Sequence, residues 1–404
     1  SLTIFLQQLG RGLRLAKNKD YLTVLDFIGQ AHKKYNFEDK FTSLLHKTRK
    51  NLKNEIENGF ISLPKNCYIT LEKEATKYIL NNIKGYFNTR NIHIERLMNF
   101  YDETGKEPTL LNYLEHYNIN PMNIYRYASF NKLLVVAKLK EEYNENIYIK
   151  ANDILAKLTQ INSYKFIDFI INILSNNITS FSILEKRMLQ MFYFTINDVS
   201  LDECNEQILL QWLNDFKNNK VLCEEIIELL NYNKNKIDFI SQIIENNFEY
   251  PLEVYCSYNR DQILSAFDFF KPRTIREGVK YLDDKKIDIL LITLNKSEKN
   301  YSPTTMYKDF SRNENQFHWQ SQNKTSETSV VGKRYINHKE TGNRVLLFVR
   351  ENSVNQYGIR EYYTFLGTGN YISHKGEKPM SIEWQLDFPI PARFISTTQK
   401  LIAL

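Results

Sequence analysis

Glycine is absent from residue 106 to residue 277. A stretch without it cannot hold a glycine-rich phosphate cradle, and glycine's absence favours uninterrupted helices. No GxxxxGK[ST] sequence and no acidic box in a suitable setting occur anywhere in the chain, so it is not expected to hydrolyse ATP alone. Cysteine is scarce: Cys67, Cys204, Cys223 and Cys256 lie far apart with no CxxC pair. That spacing argues against a zinc site or a disulfide framework and fits reduced thiols in the cytoplasm. No apolar run approaches the roughly eighteen residues of a membrane span. The opening residues Ser1 to Leu6 lack the basic region and small-residue cleavage site of a signal peptide.

The 404 residues suggest two to three domains, and 42% hydrophobic residues suffice for buried cores. A net charge of +6 permits nucleic-acid binding without establishing it. The patterning predicts an α+β protein, mainly helical over its N-terminal two-thirds and β-rich at its C-terminus. Residues 1–60 combine a short helix with an apolar run from Tyr21 to Ile28, read as a buried strand, and a charged helical stretch. Residues 61–255 carry apolar side chains at three- and four-residue spacing between Asn-rich breaks, a helical connector. In residues 256–404 aromatics alternate with polar residues. Six strands are expected there, at Ile287–Leu294, Phe317–Ser321, Arg344–Val349, Tyr362–Leu366, Tyr371–His374 and Ser381–Leu386, in a curved sheet or barrel.

Four constellations could carry chemistry. Gln7, Arg11 and Arg14 stand in Gln-Gln-Leu-Gly-Arg-Gly-Leu-Arg, which resembles the last motif of superfamily 2 helicases. Rigid, always-charged arginines suit a γ-phosphate in transfer, whereas a bare RxxR would be only a basic helix surface. His32, Lys34 and Asp39 have the spacing of a phospholipase D nuclease motif. That chemistry normally needs two facing copies, and this one runs into an amphipathic helix, so a solvated charged helix is the better reading. Glu107 to Met122 fits plain helical packing more than a helix-turn-helix. The densest group is Tyr307, Asp309, Phe317, Trp319, Gln320 and Gln322, joined later by Tyr363 and Phe365. Glutamines can pair with a base edge, and an aromatic with a carboxylate can hold an extruded base; a core tryptophan beside a solvated polar face explains the same residues equally well. Lys324 and Thr325 in a polar loop, and Lys333, Arg334 and His338 in the following charged hairpin flanked by Gly332 and Gly342, could contact phosphates, or simply be exposed.

From about Pro251 to Pro391 the chain resembles the region that follows helicase cores in SauUSI-type, ATP-dependent type IV restriction enzymes. The residues that carry the resemblance include Phe317-His318-Trp319-Gln320-Ser321-Gln322, Arg334-Tyr335-Ile336, Leu346 to Glu351, Tyr363 to Gly367 and Met380 to Trp384. The resemblance implies that residues 1–60 are the tail of a second RecA-like lobe, 61–255 a connector and 256–404 an SRA-like target-recognition domain. It implies a double-stranded DNA partner containing 5-methylcytosine or 5-hydroxymethylcytosine, read by base flipping. Helicase and nuclease parts would lie upstream in the same polypeptide, with ATP and Mg serving that parent protein and no cofactor or metal in this segment. A homodimer formed through the parent is left open. Two other classes stay in view: a protein-interaction platform that regulates a helicase, and a nuclease acting through His32.

Overall fold

The computed structural model describes residues 2–12, 22–25, scattered positions between 41 and 79, and 90–395 apart from 118, 145–149, 245–247, 276–277, 296–308 and 356. Arg14, the His32–Lys34–Asp39 motif and Tyr307 lie outside these residues. The chain divides into two compact units, Ser1–Asn123 and Ile124–Leu404.

In the first unit, α1 spans Leu2–Gly12, α2 Arg90–Met98, α3 Phe100–Thr104 and α4 Leu110–Tyr117. Gln7 and Arg11 sit one helical turn apart on α1 and are exposed. The apolar run expected as a buried strand does not behave as one where it is described: Leu22, Val24 and Leu25 are exposed and unpaired in any ladder. A strand needs a neighbour for its backbone groups, and among the described residues this unit has no strand to offer. The α4 segment packs rather than protrudes. Leu110, Tyr113 and Leu114 are buried, and the fully buried His93 links the Tyr113 hydroxyl at 2.8 Å to the Asn123 carbonyl at 3.1 Å.

The second unit is α+β. Its helices include α5 (Phe130–Val136), α6 (Ala151–Leu158), α7 (Tyr164–Ser175), α8 (Ile183–Ile196), α9 (Glu206–Lys217), α10 (Lys220–Asn235) and α11 (Arg260–Ala266). Local sequence sets their starts. Ser129, Ser163, Ser182, Asn205 and Asn259 each accept a backbone N–H of the first turn, and Ser182 with Glu185 closes a capping box. Glu225 of α10 is buried and takes the N–H groups of Phe130 and Asn131 at 2.6 and 3.0 Å, clamping the start of α5.

The strands are β1 (Ser257–Tyr258), β2 (Val279–Leu282), β3 (Ile287–Thr293), β4 (Phe310–Ser311), β5 (Gln316–Gln320), β6 (Arg344–Arg350), β7 (Tyr363–Lys375) and β8 (Ser381–Leu386). They form one open sheet in the order β2-β3-β6-β7-β8-β5-β4, with β1 beside β7. Only the β3–β6 pair is parallel. Of the two forms expected, a curved sheet or a barrel, the sheet is open: β2 and β4 end it and do not meet. The two strands expected at Tyr362–Leu366 and Tyr371–His374 are one strand of 13 residues. Gly367 and Gly369, which lie between those two expected strands, let β7 bend while its pairing passes from β6 to β8. The hairpin expected after residue 332 is helix α12 (Val330–Ile336). Gly332 is required there, because a Cβ would overlap the Ser326 carbonyl.

No break falls at the expected 255/256 boundary. The Tyr255 N–H donates to the Phe365 carbonyl at 2.8 Å, and the Phe365 N–H donates to the Cys256 carbonyl at 2.9 Å. Phe248 lies against Phe365 and Phe267, so residues preceding the sheet cover one face of β7. On the opposite face lies α12, whose Tyr335 joins the core formed with Leu290, Leu347, Trp319 and Trp384.

Arg334 of α12 reaches the fully buried Asp288 of β3 with two hydrogen bonds, 2.8 and 2.9 Å, and its guanidinium lies 3.7 Å above the Tyr281 ring. Burial pushes Asp288 up from the usual aspartate value against the pull of Arg334. Burial opposes the charge on Arg334, but the Asp288 hydrogen bonds outweigh it and hold its pKa up. Breaking a buried pair leaves one uncompensated charge. Arg334→Ala should therefore cost about 3–5 kcal/mol in urea unfolding. The double variant Asp288→Leu with Arg334→Met should recover most of that loss; equal destabilisation of the single and double variants would argue against the pair as the cause.

Candidate nucleic-acid interface

Where the sheet is covered on both faces, every residue of a strand is buried; β3 is buried at all seven positions. β5 and β8 instead alternate, with Phe317, Trp319, Ile382, Trp384 and Leu386 buried and the residues between them partly exposed. Antiparallel register then pairs the outward residues directly: Gln316 with Gln385, His318 with Glu383, Gln320 with Ser381. β7 extends each row through Asn370, Ser373 and Lys375. The result is a polar face across the three strands β5, β8 and β7, rich in amide and hydroxyl groups.

The middle row is tied by charge. His318 Nδ1 lies 2.7 Å from Glu383 Oε1, and Arg312 Nη2 reaches the same oxygen at 2.9 Å. Phe310 of β4 stacks on the His318 ring with centroids 4.5 Å apart and planes at 21°. Glu383 Oε2 is buried and accepts no hydrogen bond among the described residues. Gln320 donates from Nε2 to Ser381 Oγ at 3.3 Å, while its backbone N–H is held by Asp309 Oδ1 at 2.9 Å.

Several residues expected to hold a base or a phosphate are engaged elsewhere. Phe317 and Trp319 point into the core, Trp319 edge-on to Tyr335 with centroids 5.5 Å apart. Phe365 is buried against Phe348, and Tyr363 is buried beneath Arg350. Their rings therefore offer no free face for stacking on a base. Asp309 is buried and spends one oxygen on the backbone of Gln320. Arg334 is committed to Asp288 rather than to phosphate. Thr325 is buried, and its carbonyl accepts the Lys378 N–H. Gln320 and Gln322 remain partly exposed, and Lys324 and Lys333 are exposed. Arg312 and Glu383 were not singled out by sequence reasoning. The alternation of Ser381, Glu383 and Gln385 with apolar residues was the available signal, but it does not say which strand lies opposite.

His338 is also buried, and its two nitrogens define its tautomer. Nε2 accepts the Tyr371 N–H at 3.1 Å, so Nδ1 carries the proton and donates to the Asn343 carbonyl at 3.2 Å. Burial lowers its pKa, the Asn343 carbonyl opposes that, and Lys339 adds to it.

Residues 252–397 match a family described as a domain of unknown function (DUF3427). That match spans the sheet, the α12 crossover and the polar face. No curated protein matches the chain. Among the described residues no group of three or more His, Cys, Asp or Glu side chains is placed to hold a metal ion, and no helix is long and apolar enough to cross a membrane.

Two measurements follow from these placements. Trp319→Ala should destabilise the fold by about 3–5 kcal/mol, as loss of a large core side chain does; an unchanged denaturation midpoint would show that Trp319 is not core. Because His338 is lowered from 6.5, its contribution to stability is present above that value and is lost as pH falls through the lower folded value. The acid side of the stability profile should flatten in His338→Gln relative to the parent. An identical profile would mean that other groups set it.

Proposed function

We propose that the second unit is a DNA target-recognition module of an ATP-dependent type IV restriction system, selecting duplex DNA that contains 5-methylcytosine or 5-hydroxymethylcytosine. The observation that carries DNA binding is the polar face of β5 and β8. Its paired glutamines, Gln316 with Gln385 and the half-buried Gln320 beside Ser381, offer donors and acceptors together, which base edges require. Arg312 and Lys375 add positive charge at that face, and a β-sheet can enter a DNA groove. The choice of modified cytosine rests on the sequence resemblance. With Phe317, Trp319, Tyr363 and Phe365 in the interior, groove reading of the duplex by this face replaces a base pocket built from those rings.

Gln7 and Arg11, exposed on α1, remain proposed as the ATP-sensing end of a helicase lobe whose other parts supply the ATP and Mg sites. The upstream motor and nuclease, and a cytoplasmic location, belong to the same proposal.

The test is binding of the full chain to methylated, hydroxymethylated and unmodified duplexes of one sequence at fixed salt. Tighter binding to a modified duplex is expected, with discrimination of about 1–3 kcal/mol. Gln320→Ala should lower affinity and relax preference at one base position, by about the same amount. Equal affinity for all three duplexes would remove the modified-base reading, and no binding would remove the DNA reading.

A further inference from the structure

We propose that Ile372 is the residue through which the polar face contacts the C5-methyl group of a pyrimidine in the DNA major groove. The proposal rests on the DNA-binding reading above and adds the feature of the base that is recognised and the side chain that recognises it.

The register of β7 brings Ile372 to the outer face. Asn370 stands opposite the outward Gln385, and Tyr371 opposite the inward Trp384. Strict alternation would then give one outward residue against Glu383 and one inward residue against Ile382. The pairing shifts instead between Tyr371 and Ser373, so that Ile372 and Ser373 together face Glu383, and His374 takes the place opposite Ile382. Both flanks of this bulge are held. Tyr371 packs edge-on to Trp384 with centroids 6.3 Å apart, and its N–H donates to His338 Nε2 at 3.1 Å. The Tyr371 hydroxyl lies 2.6 Å from His374 Nδ1, which ties the two flanks to each other. Ile372 is left 44% exposed, beside an exposed Ser373.

Single exposed apolar side chains are common on proteins. Two features separate this one. The other residues that register places outward on β5, β8 and β7 are amides, hydroxyls or ionisable groups, and Ile372 is the hydrocarbon among them. It is also present through an inserted residue, without which the face would be polar throughout. Among the described residues no strand pairs with the second half of β7 on the side away from β8. A bulge that only kept that edge from pairing would do so with a polar residue as well.

The ligand class follows from the mixture. The major-groove edges of the bases present donors and acceptors together with one apolar feature, the C5-methyl group of thymine or of methylated cytosine. The amides of Gln316, Gln320 and Gln385 suit the former, and a branched hydrocarbon suits the latter. The row of Gln385 and Asn370 lies two residues along the strands from Ile372. That is about 7 Å, or two base steps of roughly 3.4 Å, so one groove can meet both.

The experiment measures full-chain affinity at fixed salt for duplexes of one sequence that differ only at pyrimidine C5. One arm replaces every thymine by uracil, which removes the methyl groups. The other replaces every cytosine by 5-methylcytosine, which adds them. For the parent, the methylated member of a pair should bind about fourfold tighter, the worth of one methyl group removed from water. A difference in the first arm assigns the contact to thymine, and one in the second to methylated cytosine. Ile372→Ala should abolish the difference while affinity for the unmethylated member and the denaturation midpoint stay near those of the parent, because the side chain is exposed. Ile372→Val should keep most of it. Equal affinity of the parent within both pairs, or a preference that survives in Ile372→Ala, would overturn the methyl contact and leave DNA recognition standing. Failure of the parent to bind any of the duplexes would overturn both.

Discussion

The second unit depends on β7 being one continuous strand. Its first half pairs with β6 on one side and β1 on the other, and its second half pairs with β8. Every strand of the sheet is therefore held, directly or through one neighbour or two, by this single extended segment. The strand must bend to serve both halves. Gly367, at φ +92°, and Gly369, whose missing side chain leaves room for Leu347 and Trp384, make that bend where the partner changes. A bulge on β7 between Tyr371 and Ser373 completes it.

That bend divides the sheet into two environments. On the β3 and β6 side, α12 covers one face and Phe248 and Phe267 cover the other, which is why Asp288 is buried and needs Arg334. On the β8 and β5 side only the inner face is covered, and the outer one keeps its glutamines, His318 and Glu383 partly in water. The same strand chemistry thus yields a closed core and an open polar surface within one sheet. In the interior of the open half aromatic rings meet edge to face, Trp319 against Tyr335 and Tyr335 against Trp384. A polar face backed in this way presents its side chains from a packed frame, which the proposed binding function would require.

Much of this was legible in the chain before folding was considered. Strands are expected at Phe317 to Ser321, Ser381 to Leu386 and Ile287 to Leu294, and alternation along Phe317 to Gln322 is read as two faces; that Ile287 to Thr293 is covered on both sides came from the structure. The aromatic residues were left open between stacking on a base and packing in a core, and Phe317 and Trp319 are core. Composition alone cannot tell a ring that stacks on a ligand from one that packs in a core, because both uses favour the same residues in the same alternation. Glycines misled in a similar way. Gly332 reads as a hairpin flank but sits inside α12, where the need was for close approach rather than for a turn.

The sequence by itself determined the α+β class, the helix starts at Ser129, Ser163, Ser182, Asn205 and Asn259, and which residues of β5 and β8 share a face. These are local properties, set by capping hydrogen bonds and by the two-residue period of a strand. Only the tertiary structure decided that β5 lies beside β8 in a register that places His318 opposite Glu383, that Arg334 belongs to Asp288, and that Trp319 faces inward. Those facts join residues far apart in the chain, and they are set by which faces the whole sheet can bury.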